Sequence, residues 1–365
     1  MASESTSIRV AVLSDGGTCT SLAGAAVNGG RASVLGTREL LKQYVPDAWN
    51  YADLYLPEKG SLDGMPSLID STDADLDRLE SLAKGHFYLA LKGYHRQVQL
   101  RGTDTLDYAS GYLYLRLREL AFDGVVCITG AQLGPDDPGS DVPRNVRDAI
   151  FAATKLPPGV YCVFAGKILD PRKVTKVSST CLSTFEQTDG RVVGCVDAKA
   201  GRLELIEAPT FVTESLAQES RDYEDALVIT VSPFMTPAAV EGALRQSSSR
   251  GVIVQGYGLG GIPQRVLPSL AQHREKVVVL TTQCAVGGVN LSEYEVGRNA
   301  ESVGALTAGC FSRSFTRVLL NYLLARFKSA DQVRAAWQRE LTAMAPEREC
   351  AGSCAVREKA LAGLC

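Results

Sequence analysis

Long hydrophobic runs are what this sequence most plainly lacks. No apolar stretch among its 365 residues approaches the roughly 20 needed to span a bilayer. The amino end, Met1 to Leu13, does not pair a basic segment with a long apolar one, so no secretory leader is expected there. Basic runs are missing too. With 38 Lys and Arg against 41 Asp and Glu, a net charge of -3, nucleic acid is not an expected main partner. Histidine is scarce: His86, His95 and His273 are the whole set, and none has the neighbours in sequence that mark a Ser-His-Asp arrangement. Ten cysteines are too dilute for a disulfide scaffold, and Cys127 and Cys162 lie in strand-like runs as small core residues. Cys350, Cys354 and Cys365 gather near the end without a nearby His, and read as free thiols on a tail rather than as metal ligands. These absences point to a soluble cytosolic protein whose partners are neither nucleic acid nor membrane.

What is present is a globular chain, 45% hydrophobic and long enough for two cores. Its clearest unit is 97–130. Val98 to Leu100 reads as a strand, Gly102 turns the chain, and Leu106, Ala109, Leu113, Leu117 and Leu120 fall on one helical face before the next strand, Val125 to Ile128. In such a βαβ unit the turn Thr103-Asp104-Thr105 lies at the carboxyl end of a strand and the start of a helix, where free N–H groups favour an anion. Thr and Asp are also ordinary N-caps, so the turn alone is not a site.

Two further turns share its character. Strand Ile8 to Leu13 runs into Ser14-Asp15-Gly16-Gly17-Thr18, where two glycines permit close approach of a ligand and no lysine follows as in a phosphate loop. Asp70-Ser71-Thr72 precedes a helical start at Asp75 and reads as a cap or as part of the same site. Residues 22–36 are small and Gly-rich, a surface loop or a lid. Beyond a polar linker at 206–224, three apolar runs separated by helical patterns imply a smaller parallel sheet. Gly256-Tyr257-Gly258-Leu259-Gly260-Gly261 has the spacing of a dinucleotide turn, but Thr281-Thr282-Gln283 stands where an acidic ribose partner belongs.

Taken in order, these motifs resemble the bacterial-type L-asparaginase/glutaminase family, in its cytosolic type I branch. Gly16-Gly17-Thr18 and Gly102-Thr103-Asp104-Thr105 are similar to its two threonine motifs, and Asp70-Ser71-Thr72 to its substrate-clamping stretch. Thr129-Gly130-Ala131-Gln132 with Ser140-Asp141, Val174-Thr175-Lys176 and Tyr294-Glu295-Val296-Gly297 complete the series. The resemblance implies an α/β protein with a larger, flavodoxin-like parallel-sheet domain over 1–205 and a smaller Rossmann-like domain over 225–365. It also implies homodimers or homotetramers, and hydrolysis of L-asparagine to L-aspartate and ammonia, with L-glutamine as a further substrate. Thr18 would be the nucleophile and Thr103, Asp104 and Lys176 the charged relay. Asp70, Ser71, Thr72, Gly102 and Ala131 would bind substrate. Three positions depart from the family's pattern. Asp15 stands where Thr is usual, Arg101 where His is usual, and no Tyr occurs between Thr18 and Tyr44. Two rivals stand beside this reading: an amino-acid sensor that binds asparagine without releasing ammonia, and the related amidotransferase subunit, which the start of the first strand at Ile8 argues against.

Overall fold

The computed structural model describes residues 7–26, 28–57, 70–207, 209, 211–213 and 223–344. Ser67 to Ile69, most of the expected 206–224 linker, and Cys350, Cys354 and Cys365 lie outside them. Two compact units are present. Described residues up to Glu186 and from Val192 to Thr213 make the first, and Gln187–Arg191 with the described chain from Tyr223 makes the second.

In the first unit the strands are β1 Arg9–Ser14, β2 Ser21–Leu22, β3 Ala32–Ser33, β4 Asp53–Tyr55, β5 Arg96–Leu100, β6 Val125–Thr129, β7 Gly159–Phe164, β8 Lys167–Leu169, β9 Val174–Lys176, β10 Phe185–Gln187, β11 Gly194–Asp197 and β12 Arg202–Leu205. Its helices are α1 Thr37–Tyr44, α2 Leu76–Leu91, α3 Leu106–Glu119 and α4 Val142–Lys155. Eight strands form one sheet in the order β12-β11-β8-β7-β6-β5-β1-β4, parallel from β7 to β4 and antiparallel beyond. Counted in chain order, the five parallel strands lie 2-1-3-4-5, the flavodoxin-like order, and the order reverses between β1 and β5.

Central strands of such a sheet are covered on both faces and read as continuous apolar runs. That holds for β6 and β7, where Cys127 and Cys162 are fully buried and burial pushes the Cys162 thiol up to about 12. It fails at β5, which alternates. Val98 and Leu100 join Val10 and Val12 in a core against α4, while Gln97, Gln99 and, just beyond the strand, Arg101 are buried on the opposite face. In α3 Leu106, Ala109, Leu113 and Leu117 are fully buried as the sequence predicts, but the helix is not one-faced: Tyr112, Tyr114, Leu115 and Arg118 are buried as well, and Leu120 lies just beyond its end, half-buried. Residues 22–36 are not an irregular loop throughout: β2 and β3 pair antiparallel and make a short hairpin.

The second unit holds β13 Leu227–Thr230, α5 Pro237–Gln246, β14 Gly251–Gly256, α6 Leu267–Gln272, β15 Val277–Thr282, α7 Glu295–Ser302, β16 Leu306–Thr307, α8 Arg313–Arg326 and α9 Ala330–Thr342. The three expected strands are joined by a fourth, β16, too short to leave a pattern in sequence. All pair in parallel in the order β13-β14-β15-β16, without reversal. Among the described residues no helix is long and apolar enough to cross a membrane.

Candidate active site

Ligands of open parallel sheets sit beyond the carboxyl ends of the strands where the strand order reverses. In the first unit that point lies between β1 and β5, and the turns that follow these two strands are Gly16-Gly17-Thr18 and Gly102-Thr103-Asp104. They are in contact. A Cβ added at Gly17 would lie 2.2 Å from Gly102 Cα, and Gly17 has φ +88, so only glycine fits. On its other side Gly102 is covered by Ser71, whose Oγ would be 2.3 Å from a Cβ built there. A third turn arrives from β6: a Cβ at Gly130 would lie 2.3 Å from Arg101 O and 3.4 Å from Thr103 Cγ2. Backbone packed against backbone thus gathers Thr18, Thr103 and Ala131, one or no residues away from these contacts, and the Ser71 side chain closes on Gly102 beside them.

Thr18 opens a short 3-10 turn, Thr18–Thr20, and is half-buried; its hydroxyl makes no hydrogen bond among the described residues. Thr103 opens another, Thr103–Thr105, which leads directly into α3. Lys176, at the end of β9, donates from Nζ to Thr103 Oγ1 at 2.9 Å and to Asp104 Oδ1 at 2.7 Å. Thr103 Oγ1 donates in turn to Gln132 Oε1 at 3.1 Å. The Lys176 side chain is 20% exposed and that of Asp104 56%, so the pair is partly open to solvent.

The Asp70-Ser71-Thr72 stretch divides. Asp70 Oδ1 accepts from Thr72 N at 3.0 Å and from Thr72 Oγ1 at 2.9 Å, so these two exposed side chains face each other as a turn cap. Only Ser71 is buried at the convergence. The 130–133 turn is held from α4: Asp141 accepts from the amides of Gln132 and Leu133, and Asn145 donates to Gly130 O at 3.0 Å.

Four contributors were not expected from the sequence. Gln132 belongs to a motif already singled out, and its side chain reaches Thr103. Asn145 lies on the first turn of α4 with nothing in the sequence to mark it. Arg78, on α2, donates to Asp15 O at 2.9 Å and is buried. Arg31, in the hairpin, binds Asp136 at 2.8 Å and also Asp137, while Ala23 N donates to Asp136 at 2.9 Å. Arg31 and the Ala23 amide hold the Asp136 carboxyl below its usual range. Sequence separations of more than a hundred residues hid that contact.

Beneath the turns runs a buried polar column. Asp15 accepts from Arg101 Nη1 and from Gln99 Nε2, the latter at 3.1 Å, and Arg78 Nε lies 3.7 Å away. Burial pushes the Asp15 carboxyl up, while Arg101 and Arg78 pull it down. Every neighbour named donates, so the carboxylate is the form these surroundings fit. Farther down, His86 Nδ1 bonds Gln97 Oε1, and burial pushes the imidazole down to about 4.

In the second unit the glycine turn 256–261 closes on itself. The amides of Tyr257, Gly260 and Gly261 bond carbonyls within the turn at 2.8 to 2.9 Å, so these three are not available to a phosphate. The sheet above it has no reversal of strand order to open a crevice. Among the described residues no three His, Cys, Asp or Glu side chains gather as metal ligands.

The chain matches the family described as Asparaginase, N-terminal, over residues 9–210, and the Glutaminase/Asparaginase C-terminal domain over 227–337. It is similar to an L-asparaginase of Thermococcus kodakarensis, 33% identical over 69% of this chain and 76% of that protein. It is also similar to L-asparaginase 1 of Escherichia coli K12, 27% identical over 75% and 81%. One component of the Glutamyl-tRNA(Gln) amidotransferase of Aeropyrum pernix is 27% identical over 70% of this chain, which spans 62% of that protein. The solved structure of the thermostable Thermococcus kodakarensis L-asparaginase superposes with a TM-score of 0.74, covering 94% of this chain and 98% of that one at 27% identity. The chain belongs to the asparaginase family.

Proposed function

We propose that this enzyme of the asparaginase family hydrolyses L-asparagine to L-aspartate and ammonia through an ester on Thr18, with L-glutamine as a side substrate. The observation that carries the reading is the Lys176 ammonium bonded to both Thr103 and Asp104, beside the Gly17–Gly102 contact that brings the two threonine turns together.

An amide is unreactive and threonine is a poor nucleophile at neutral pH, so the reaction is split into two steps. Thr18 Oγ1 attacks the side-chain carboxamide carbon. Its proton reaches the departing nitrogen by way of the Thr103–Lys176 relay, the C–N bond breaks, and ammonia leaves. Water then attacks the ester carbon, the bond to Thr18 Oγ1 breaks, and the hydroxyl regains a proton from that water. Amide N–H groups of the Gly16-Gly17 and Gly130-Ala131 turns face the developing oxyanion. Lys176 takes Asp104 Oδ1, leaving Oδ2 to accept from the substrate's α-ammonium. The Ser71 hydroxyl holds the α-carboxylate, with Asp70 stiffening that turn by accepting from the Thr72 amide and hydroxyl. The hairpin latched by Arg31 to Asp136 and Asp137, which has no tyrosine, would stand in place of the family's lid. The proposal extends to a cytosolic homo-oligomer without cofactor or metal, with domains 1–205 and 225–365 joined through 206–224.

Ammonia release from L-asparagine tests it. Lys176→Met lowers kcat by about 10²–10⁴ if Lys176 moves protons, while asparagine still raises the melting temperature. Undiminished release would remove the relay. Glutamine differs by one methylene, and its kcat/KM is expected to fall about 10–200-fold below that of asparagine.

A further inference from the structure

Asp15 and Arg101, the two departures that precede the threonine turns, prove to be one contact. Ser14 of β1 is paired with Leu100 of β5, so one step further along Asp15 faces Arg101. Both backbones are still tied to the sheet there: Asp15 N donates to Leu100 O at 3.2 Å and Arg101 N to Thr129 O at 2.9 Å. The side chains are 2% and 1% exposed. Arg101 uses both ends of its fork. Nη1 bonds Asp15, immediately before Gly16-Gly17-Thr18, and Nη2 donates to Thr105 Oγ1 at 2.8 Å. That hydroxyl donates to Ser71 O at 2.9 Å. One planar guanidinium therefore ties the nucleophile turn to the turn proposed to hold the α-carboxylate. Desolvation offsets most of the attraction in such a buried pair, so its worth lies in direction more than in net stability.

We propose that Asp15, Arg101 and Thr105 are positioning residues: the Asp15 end sets Thr18 against Thr103, and the Thr105 end sets the Ser71 turn that binds substrate. The proposal rests on the roles assigned above to Thr18 and Ser71. A merely structural role lowers the melting temperature and leaves the kinetic constants of the folded enzyme alone; positioning predicts that the two ends fail differently.

Initial rates of ammonia release over a range of L-asparagine concentrations separate these, at a temperature where circular dichroism shows each variant folded. Asp15→Asn, isosteric and uncharged, is expected to lower kcat about 100-fold, the cost of a misplacement of about 1 Å, with KM within about threefold. Thr105→Val keeps shape but loses both hydrogen bonds, and is expected to raise KM about tenfold with a smaller change in kcat; Thr105→Ser restores it. Constants within about twofold of the parent for both Asp15→Asn and Thr105→Val, or an identical loss of kcat alone in both, overturn the proposal. Should Asp15→Asn fail to fold, the Thr105 pair decides. Release that survives in Thr18→Ala would remove the nucleophile assignment instead, and the KM of Thr105→Val still reads the Ser71 end separately.

Discussion

The larger sheet reverses its strand order between β1 and β5, and the smaller sheet runs β13 to β16 in sequence without a reversal. Both end a central strand in a glycine-rich turn, yet the turns differ. At the reversal, neighbouring strands send their connections to opposite faces and leave a crevice, and Gly17 lies backbone to backbone with Gly102 inside it. In the smaller sheet the turn 256–261 bonds to itself. A glycine motif is therefore uninformative until the strand order around it is known.

The largest effect expected from this difference comes from adding one methyl to each turn. Gly17 and Gly258 both have positive φ, but a Cβ at Gly258 meets nothing within 4 Å. Gly258→Ala is expected to cost about 1 kcal/mol of backbone strain and no activity. Gly17→Ala adds overpacking against Gly102, for a total of about 3 kcal/mol, and displaces Thr18 enough to lower kcat about 100-fold. Urea unfolding and ammonia release measure both; equal costs would erase the distinction between the turns.

Acid sharpens the comparison next. His86, in the polar column beneath the larger sheet, is held neutral down to about 4 by burial. The unfolded chain takes up that proton near 6.5, so stability is expected to fall as pH drops from 6.5 to 4, by about 3 kcal/mol, and not further below. His86→Gln should flatten the slope of unfolding free energy against pH. An unchanged slope would show that His86 is not responsible.

The smallest effect concerns how each region closes. The hairpin of the larger unit is latched by Arg31 to Asp136 and Asp137, whereas the 256–261 turn uses backbone bonds. Arg31→Ala, or high salt, is expected to speed amide exchange at Ala26 about two- to threefold, as befits an exposed ion pair, and to leave Gly261 unaffected. Because the Asp136 carboxyl is lowered, the latch is present above its ordinary value and is lost as pH falls through the lowered one.

How far the sequence revealed this molecule follows from the range of the forces involved. The period of α3 and the apolar runs of β6 and β7 are local patterns, and they appear where expected. The threonine turns stand out by their own turn chemistry, whereas Lys176, at the end of β9, stands out only through the family resemblance, since a lone Lys in a polar stretch reads as a solvated charge. The Asp15–Arg101 pair was visible only as two unrelated oddities, since nothing local says that residues 86 apart face each other across β1 and β5. The strand β16 and the hairpin β2–β3 are two-residue pairings, shorter than any periodicity can register. The Arg31 latch is likewise nonlocal. Of the two readings open for Asp70-Ser71-Thr72, a cap or part of the site, the bonds from Thr72 to Asp70 show the cap, because short polar side chains in a turn bond readily to their own neighbours.

The central claim is that the chemistry belongs to the hydroxyl at the point where the larger sheet reverses. Initial-rate ammonia release from L-asparagine by the parent, Thr18→Ala and Thr282→Val, the last a hydroxyl at the carboxyl end of the smaller sheet, tests it directly. Loss of about 10⁴-fold or more is expected in Thr18→Ala and a rate within about twofold of the parent in Thr282→Val. Substantial release by Thr18→Ala, with the variant folded and free of contaminating activity, would contradict it.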